Sequence, residues 1–472
     1  MIDKREILEI SSSLGLQPSV VEKDYVLGWL LAGINAHPKL TDSWVFKGGT
    51  CLKKCYFETY RFSEDLDFTL RDEVDLDQVV LTSVFGEVVE WVSDESGLTI
   101  PANQLSFEVY ENPRGRRSCQ GKVGYRGPVS PSSGGWPKIK LDLTADEALV
   151  LPSVRRGVFH PYTDVPERGM WINSYAYEEA FGEKIRALGE RTRPRDLYDV
   201  INLYRHGDTR PPPALLLDVL TRKCAYKNIA LPSMSSLEPH RSDLEAMWDN
   251  MLGHQLPVLP PVEDFWAALP EVFDWLAGGA IAPQPTAISA IGTETTIRTR
   301  VLPRGIPMRT RGSLEIIRFA AANHLCVDLA YDGGTRRIEP YSLRVTRDGN
   351  FVLYAVRSDS AEPRSYRIDR IQGASVTDQS FHPRYLIELT AEGPLSIPPT
   401  ARVDSSGLGG ERVPSRRRYA RTSSDGPVYV YKCSVCGRTF NRKTMDGSLN
   451  EHKTPQGYPC YGRYGIYDRM KY

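Results

Sequence analysis

The sequence predicts an α+β chain: a mixed helix-and-strand core with a helical subdomain, then a short all-β domain, then a small module rich in Cys and His. Three observations carry this. Strand patterns such as DSWVFKGGT and IKLDLT sit among segments of helical periodicity in the first 276 residues. Short β-like runs, Leu325–Tyr331 and Asn350–Arg357 among them, crowd the region before residue 395. Cys433, Cys436, His452 and Cys460 cluster near the end. A chain of 472 residues fits two to four domains at ~100–200 residues each. A hydrophobic share of 41% and a charged share of 25% exclude wholesale disorder and collagen-like order.

The elements follow in order. Residues Pro18 to Ile34 carry Val21, Tyr25, Val26, Trp29 and Leu30 at helical spacing. DSWVFKGGT reads as a strand running into a glycine turn. In IKLDLT, Leu141 and Leu143 face one way, and Lys140 and Asp142 the other. From Ser174 to Trp275 the pattern is mainly helical. The small, Pro-punctuated stretch Ala277 to Glu294 reads as a linker, and so does the Ser/Gly/Pro/Arg-rich stretch Ser396 to Arg418. The expected organisation is a core over 1–276, a linker over 277–312, a β-domain over 313–395, a basic linker over 396–428 and a metal module with a Tyr-rich tail over 429–472. Residues 401–472 hold 14 basic and 6 acidic side chains, so a tail of +8 is balanced by −8 in the first 400 residues. No apolar run reaches the ~18–20 residues of a membrane helix. The start, MIDKREILEI, has charges where a signal peptide needs an apolar core. A cytoplasmic location, no membrane contact and reduced cysteines are expected.

Chemistry concentrates first around Lys47-Gly48-Gly49-Thr50 and Asp65-Leu66-Asp67. Gly48 and Gly49 lack Cβ atoms where backbone N–H groups could approach phosphate oxygens, and Thr50 adds a hydroxyl at a helix start. On a strand, Asp65 and Asp67 project from the same face with Leu66 behind them. Two such carboxylates repel unless a divalent cation lies between them, and oxygen ligands with phosphates favour Mg²⁺. A third carboxylate on a neighbouring strand would complete a two-metal arrangement, for which Asp142 is the natural candidate. Glu22 and Asp24 read as structural and Glu64 as a surface residue.

FKGGTCLKKCYFETYRFSEDLDF resembles the signature of the polymerase-β-like nucleotidyltransferases, and specifically of the AbiEii/AbiGii family of bacterial type IV toxins. The resemblance extends to VEKDYVLGWLL and EKIRALGERTRPRDLYDV, over about the first 270 residues. It implies Mg²⁺-dependent transfer of a nucleotide from an NTP to an acceptor hydroxyl in toxin–antitoxin or anti-phage defence, with an antitoxin or defence protein as partner. It places a functional Lys and Asp in the third motif, at Lys184 and at Asp196 or Asp199. Lys184 and Arg186 could neutralise a triphosphate, with Asp196 positioning or activating a group nearby. A salt-bridged surface helix is the plainer reading of the same residues.

The helix and strands from Ser313 to Phe381 resemble a WYL domain, an Sm-like barrel, although Phe351-Val352-Leu353 stands where Trp-Tyr-Leu gives that family its name. Arg357, Arg367 and Arg370 lie on or beside its strands, and a cluster facing one groove would suit a nucleotide or nucleic acid. A partner-docking module is the rival reading. In the tail, Cys433-x-x-Cys436 is followed by His452 and Cys460, a set that suits a tetrahedral structural Zn²⁺. Arginines and tyrosines around it suit nucleic-acid contact. Three functional readings follow. The acceptor is an RNA 3′ end such as that of tRNA, or it is the chain's own Tyr472, nucleotidylated or priming oligonucleotide synthesis, or the fold is an inactive nucleic-acid-binding regulator. The intact Gly-Gly-Thr and Asp-x-Asp argue against the last.

Overall fold

A computed structural model describes residues 1–57, 61–131, 133–206, 210–279, 285–289, 294–296, 308–389, 428–433, 436, 438–442, 449–453, 459–460 and 465–471. The chain divides into two compact units, Met1–Thr400 and Ala401–Tyr472.

The first unit begins with α1 (Lys4–Leu14), capped by the Asp3 side chain, and α2 (Pro18–Ala36), which Pro18 opens. Fourteen residues of α2, from Val20 to Ile34, are buried on all sides, as expected of a helix crossing the core. Then come β1 (Trp44–Lys47), α3 (Gly48–Cys51), a π-helical turn over Leu52–Tyr56, β2 (Asp65–Leu70) and α4 (Gln78–Ser96). The hairpin β3 (Leu105–Glu111) and β4 (Arg117–Gly124) precedes β5 (Lys138–Thr144), β6 (Val154–Gly157) and β7 (Trp171–Ser174). These strands form one sheet in the order β3-β4-β5-β2-β1-β7-β6. Strand β2 is central, antiparallel to β1 and parallel to β5. One face of β5 packs inward through Ile139, Leu141 and Leu143, so the alternate residues Lys140 and Asp142 point outward.

A helical layer follows: α5 (Tyr177–Arg191), α6 (Pro194–Arg205), α7 (Pro213–Lys227), α8 (Met234–Leu237), α9 (Arg241–Leu252), α10 (Val262–Trp266) and α11 (Leu269–Leu276). Helix α5 begins seven residues before Lys184, which therefore lies in its middle. Pro194 does open α6, with Asp196 in the first turn.

The stretch expected to be a linker contributes structure. β8 (Glu294–Thr296) pairs with a barrel strand, Ile288 is buried, and α12 (Met308–Ala322) starts ahead of the expected boundary. The barrel strands are β9 (Leu325–Tyr331), β10 (Gly334–Thr346), β11 (Phe351–Arg357), β12 (Pro363–Arg367) and β13 (Ile371–Ser380), in the order β12-β11-β10-β9-β13. Pro340 sits inside β10 beside a register shift between Pro340 and Ser342. The bulge accommodates a residue with no N–H to give the ladder. A 3-10 turn over Ile368–Arg370 separates β12 from β13.

The second unit holds a three-stranded sheet in the order β15-β14-β18, built from β14 (Val428–Cys433), β15 (Thr439–Arg442) and β18 (Gly465–Lys471), and a two-stranded pair, β16 (His452–Lys453) with β17 (Pro459–Cys460). Most of the expected basic linker, and Tyr472 itself, lie outside the described residues. Among the described residues no helix is long and apolar enough to cross a membrane.

Candidate active site

The register of three strands assembles the carboxylates. Lys47 on β1 lies opposite Asp67 on β2, and Asp67 lies opposite Asp142 on β5. Asp65 is two residues back along β2 and so shares their face, while Leu66 between them is fully buried. Burial pushes the Asp67 carboxyl up to about 6, and Asp142 and Asp65 add to the shift against the pull of Lys47. Burial likewise raises Asp142, with Asp65 adding to it. Three carboxylates on one face, with Asp67 and Asp142 disfavoured as bare anions, are oxygen ligands that could hold a divalent cation.

The glycines serve this packing. Gly48 has φ of 81°, and a Cβ there would come within 2.0 Å of the Asp67 Oδ2. A Cβ at Gly49 would meet the Arg61 guanidinium at 2.4 Å. The loop thus lies against the acid row on one side and a buried arginine on the other. Thr50 does not face a ligand: it is buried, and its hydroxyl donates to the Asp65 carbonyl at 2.5 Å, bracing β2.

An open cavity of about 410 Å³ borders the acid row, a size that accommodates a nucleotide. Its lining includes every expected catalytic residue, Asp65, Asp67, Asp142, Lys184 and Asp196, together with Lys47, Gly48, Gly49 and Arg186. Lys184 Nζ lies 2.6 Å from Asp199 and 3.5 Å from Asp196. The two aspartates of the third motif differ. Asp199 is fully buried and takes a bidentate pair from Arg61 at 2.8 and 2.9 Å. Against the burial that would raise it, Arg61 and Lys184 hold its carboxyl well below the usual range. Asp196 is bound at 2.7 and 3.0 Å by Arg191, whose side chain is 46% exposed. Both anchor cations, and neither is a free base.

Arg186 differs from expectation. Glu183 and Glu190 at i−3 and i+4 neutralise it at 2.7 and 2.6 Å, so its charge is committed within α5. Lys47 forms an ion pair with Glu147 at 3.3 Å. The sequence reading missed four arginines of this cavity: Arg61, Arg191, Arg193 and Arg195. Arg195 donates to the Met251 carbonyl, and Arg193 precedes α6 in an exposed position. The density of Arg around Pro194 signals Arg191, Arg193 and Arg195 but not the distant Arg61.

Behind the site, Asp24 pairs with Lys54 of the π-turn at 2.7 Å in the core, and Glu22 accepts from Val129 N–H, Ser130 N–H and the Ser130 hydroxyl. Both are structural. Glu64 pairs with Lys23 at 2.6 Å.

The barrel arginines do not converge. Arg367 lies opposite Val352 at the start of β11, whereas Arg357 ends that strand, roughly 17 Å away at ~3.3 Å per residue. Odd and even positions on β11 also face opposite ways. Each arginine has its own carboxylate: Arg357 has Asp359, Arg367 has Asp369 and Arg370 has Asp332. The structure therefore forms no groove lined by the three.

In the second unit, Cys433, Cys436, His452 and Cys460 bring their donor atoms within 4.8 Å of one another. The Cys433 and Cys460 Sγ atoms are 3.6 Å apart, and the Cys436 Sγ is 3.4 Å from His452 Nε2. Zn–S bonds of ~2.3 Å in a tetrahedron put sulfurs at about 3.7 Å, so the donor set fits Zn²⁺. His452 Nδ1 lies 2.9 Å from the Asn450 carbonyl, which orients Nε2 toward the thiols, and Phe440 packs edge-on against the ring at 4.7 Å.

A mixed sheet carrying three carboxylates on adjacent strands, backed by helices that present cations, defines a polymerase-β-like nucleotidyltransferase. Residues 29–275 match the family described as the nucleotidyl transferase AbiEii toxin of type IV toxin–antitoxin systems. The chain belongs to that family and is a nucleotidyltransferase. Residues 312–376 match the WYL domain. In structure, the chain is similar to the nucleotidyltransferase toxin MenT4 of Mycobacterium tuberculosis H37Rv at 20% identity and TM-score 0.42, over 59% of this chain and 90% of that one. It is also similar to the proteasome accessory factor B/C of Arthrobacter aurescens at 14% identity and TM-score 0.15, over 62% of this chain and 41% of that one. The family assignment rests on the family match alone. No curated protein matches the chain.

Proposed function

We propose that the chain is a Mg²⁺-dependent enzyme that transfers a nucleotide from an NTP to an RNA 3′ hydroxyl, such as a tRNA end, in a bacterial toxin–antitoxin or anti-phage defence system with a cognate antitoxin. The observation that carries this is the row Lys47, Asp67, Asp142 across three strands, with Asp65 on the same face, facing a cavity lined by arginines and Lys184. Asp65 and Asp67 hold the metal. When bound, Mg²⁺ supplies charge neutralisation at the reacting phosphate. Asp142, at the edge of the row and raised by burial, takes the proton of the acceptor hydroxyl. Lys184 stabilises charge on the leaving phosphates, and Asp196 and Asp199 hold it in place. Arg193 and Arg195 supply further positive charge at the cavity, the role first expected of Arg186.

Incubation with each labelled NTP, with and without tRNA, tests the reading. Label on RNA is expected. Label on protein alone would replace the acceptor, and no label with any NTP or RNA would remove the function.

The Cys₃His set holds a structural Zn²⁺, since four protein ligands leave no open position. Cys436→Ser is expected to lower the zinc content measured by mass spectrometry to below one ion per chain. It should also expose residues after about Tyr429 to protease while Met1–Thr400 stays resistant, because metal binding supplies most of the folding free energy of so small a module. Full zinc retention in this variant would exclude Cys436 as a ligand.

A further inference from the structure

The acid row does not end at β5. The same sheet face continues over β4 and β3, and the register shows what it carries. One row runs Asp65, Lys140, Lys122, Ser106, and the next runs Asp67, Asp142, Gln120, Glu108. From Lys140 and Asp142 outward these side chains are exposed, while the opposite face is closed by Leu141, Val123 and Phe107 packing inward, with Phe107 against Phe85 of α4. Lys122 and Lys140 lie directly opposite each other, a like-charge pair that costs stability in an antiparallel ladder. Lys138 is exposed two residues further along β5. Among the described residues none of these three lysines closes an ion pair, although Lys140 has Asp65 opposite it and Asp142 two residues along the strand. An anion between them would relieve the repulsion.

Aromatic rings stand at both ends of this face, one beside the lysines and one beyond the row of Asp142, Gln120 and Glu108. Tyr110, 42% exposed, lies opposite Ser118 at one end. At the other end Trp136 packs over Gly124, where a Cβ would come within 3.3 Å of the tryptophan Cβ, and Arg126 stacks on the indole at 4.6 Å. No aliphatic side chain projects from this face, so it lacks the apolar centre of a protein interface. Cations interleaved with rings on an open sheet are a platform for single-stranded nucleic acid.

We propose that the exposed face of β3, β4 and β5 binds the acceptor RNA, with Lys122 and Lys140 on phosphates and Tyr110 stacked on a base, so that the terminal hydroxyl lies over Asp142. This deepens the function proposed above and rests on its RNA acceptor. The strand spacing of ~4.8 Å places Lys122 and Lys140 within two strands of Asp65, a span of about 10 Å that a single nucleotide bridges.

The test uses the full chain and a short fluorescein-labelled single-stranded RNA, without NTP. Lys122→Ala/Lys140→Ala is expected to weaken binding at least about tenfold and to reduce the slope of log affinity against log salt by about 0.7 per lysine. Tyr110→Ala is expected to weaken binding about tenfold with the slope unchanged. NTP binding should stay at the wild-type value in both variants, and the double lysine variant should melt no lower than wild type, because it relieves the Lys122–Lys140 repulsion and removes two exposed side chains. Wild-type binding and labelling of RNA with unchanged affinity in both variants would overturn this surface while leaving the RNA acceptor standing. Failure of wild type to bind or label RNA would overturn both. Unchanged RNA affinity with lost binding to polyglutamate would reassign the face to an acidic polypeptide.

Discussion

Asp67→Asn is expected to cut nucleotide transfer by at least about a hundredfold and, in the absence of metal, to make the folded protein more stable than wild type. The first effect follows from removing one of two carboxylates that share the cation. The second follows from the acid row itself. In the fold, burial and then Asp142 and Asp65 push the Asp67 carboxyl up to about 6, from an ordinary value of 3.8. Between those values the native state keeps a proton that the unfolded chain has lost. Stability therefore falls as pH rises through this window, and the loss is complete above about 6. It amounts to a cost on the order of 1–3 kcal/mol that an uncharged Asn does not incur. Thermal melts of both proteins in chelator at pH 7.5 and pH 4.5, paired with a transfer assay, measure it. Wild type should gain on Asn as pH falls. Near-normal turnover in the folded variant would remove Asp67 from the metal site, and a variant less stable than wild type at pH 7.5 would make its carboxylate structural.

The features read correctly from sequence are those whose physics is local. Asp65 and Asp67 share a face because side chains alternate, and Leu141 and Leu143 betray the outward aim of Asp142 by the same period. The Cys-x-x-Cys and His spacing likewise carries its metal geometry within one short module. What the sequence concealed depends on pairing at a distance. Arg61 and Asp199 are 138 residues apart, and nothing near either names the other. The capture of Arg186 by Glu183 and Glu190 was legible in principle, since both stand at helical neighbour spacing, but its place in a basic motif suggested a ligand. Arg357 and Arg367 each have an aspartate two residues on, and Arg370 meets Asp332 from 38 residues away, so each guanidinium is held before any cluster can form. β8 is three residues long, too short for its own pattern to show, and exists because β10 offers an edge.

Asp199→Ala is expected to destabilise the first unit by about 3–5 kcal/mol, because it leaves buried cations unpaired. Arg61 is 2% exposed and donates two of its N–H groups to this one carboxylate, and Lys184 Nζ leans on it at 2.6 Å. Transfer should be lost along with stability, since Lys184 loses its shorter contact. Asp196→Ala should cost less, near 1–2 kcal/mol, because its main partner Arg191 is 46% exposed and can turn to water. The pH dependence separates the charge from the packing. Arg61 and Lys184 depress the Asp199 carboxyl against the effect of burial, so its contribution is complete above the unfolded value near 3.8 and declines as pH falls toward the lower folded value. Asp199→Asn, which keeps shape but not charge, should therefore trail wild type most at neutral pH and approach it in acid. Urea titrations at pH 7 and pH 2.5, the latter well below the unfolded value, measure the gap. A gap that stays constant between them would assign the cost to packing, and a larger loss for Asp196→Ala than for Asp199→Ala would reverse which aspartate anchors the third motif.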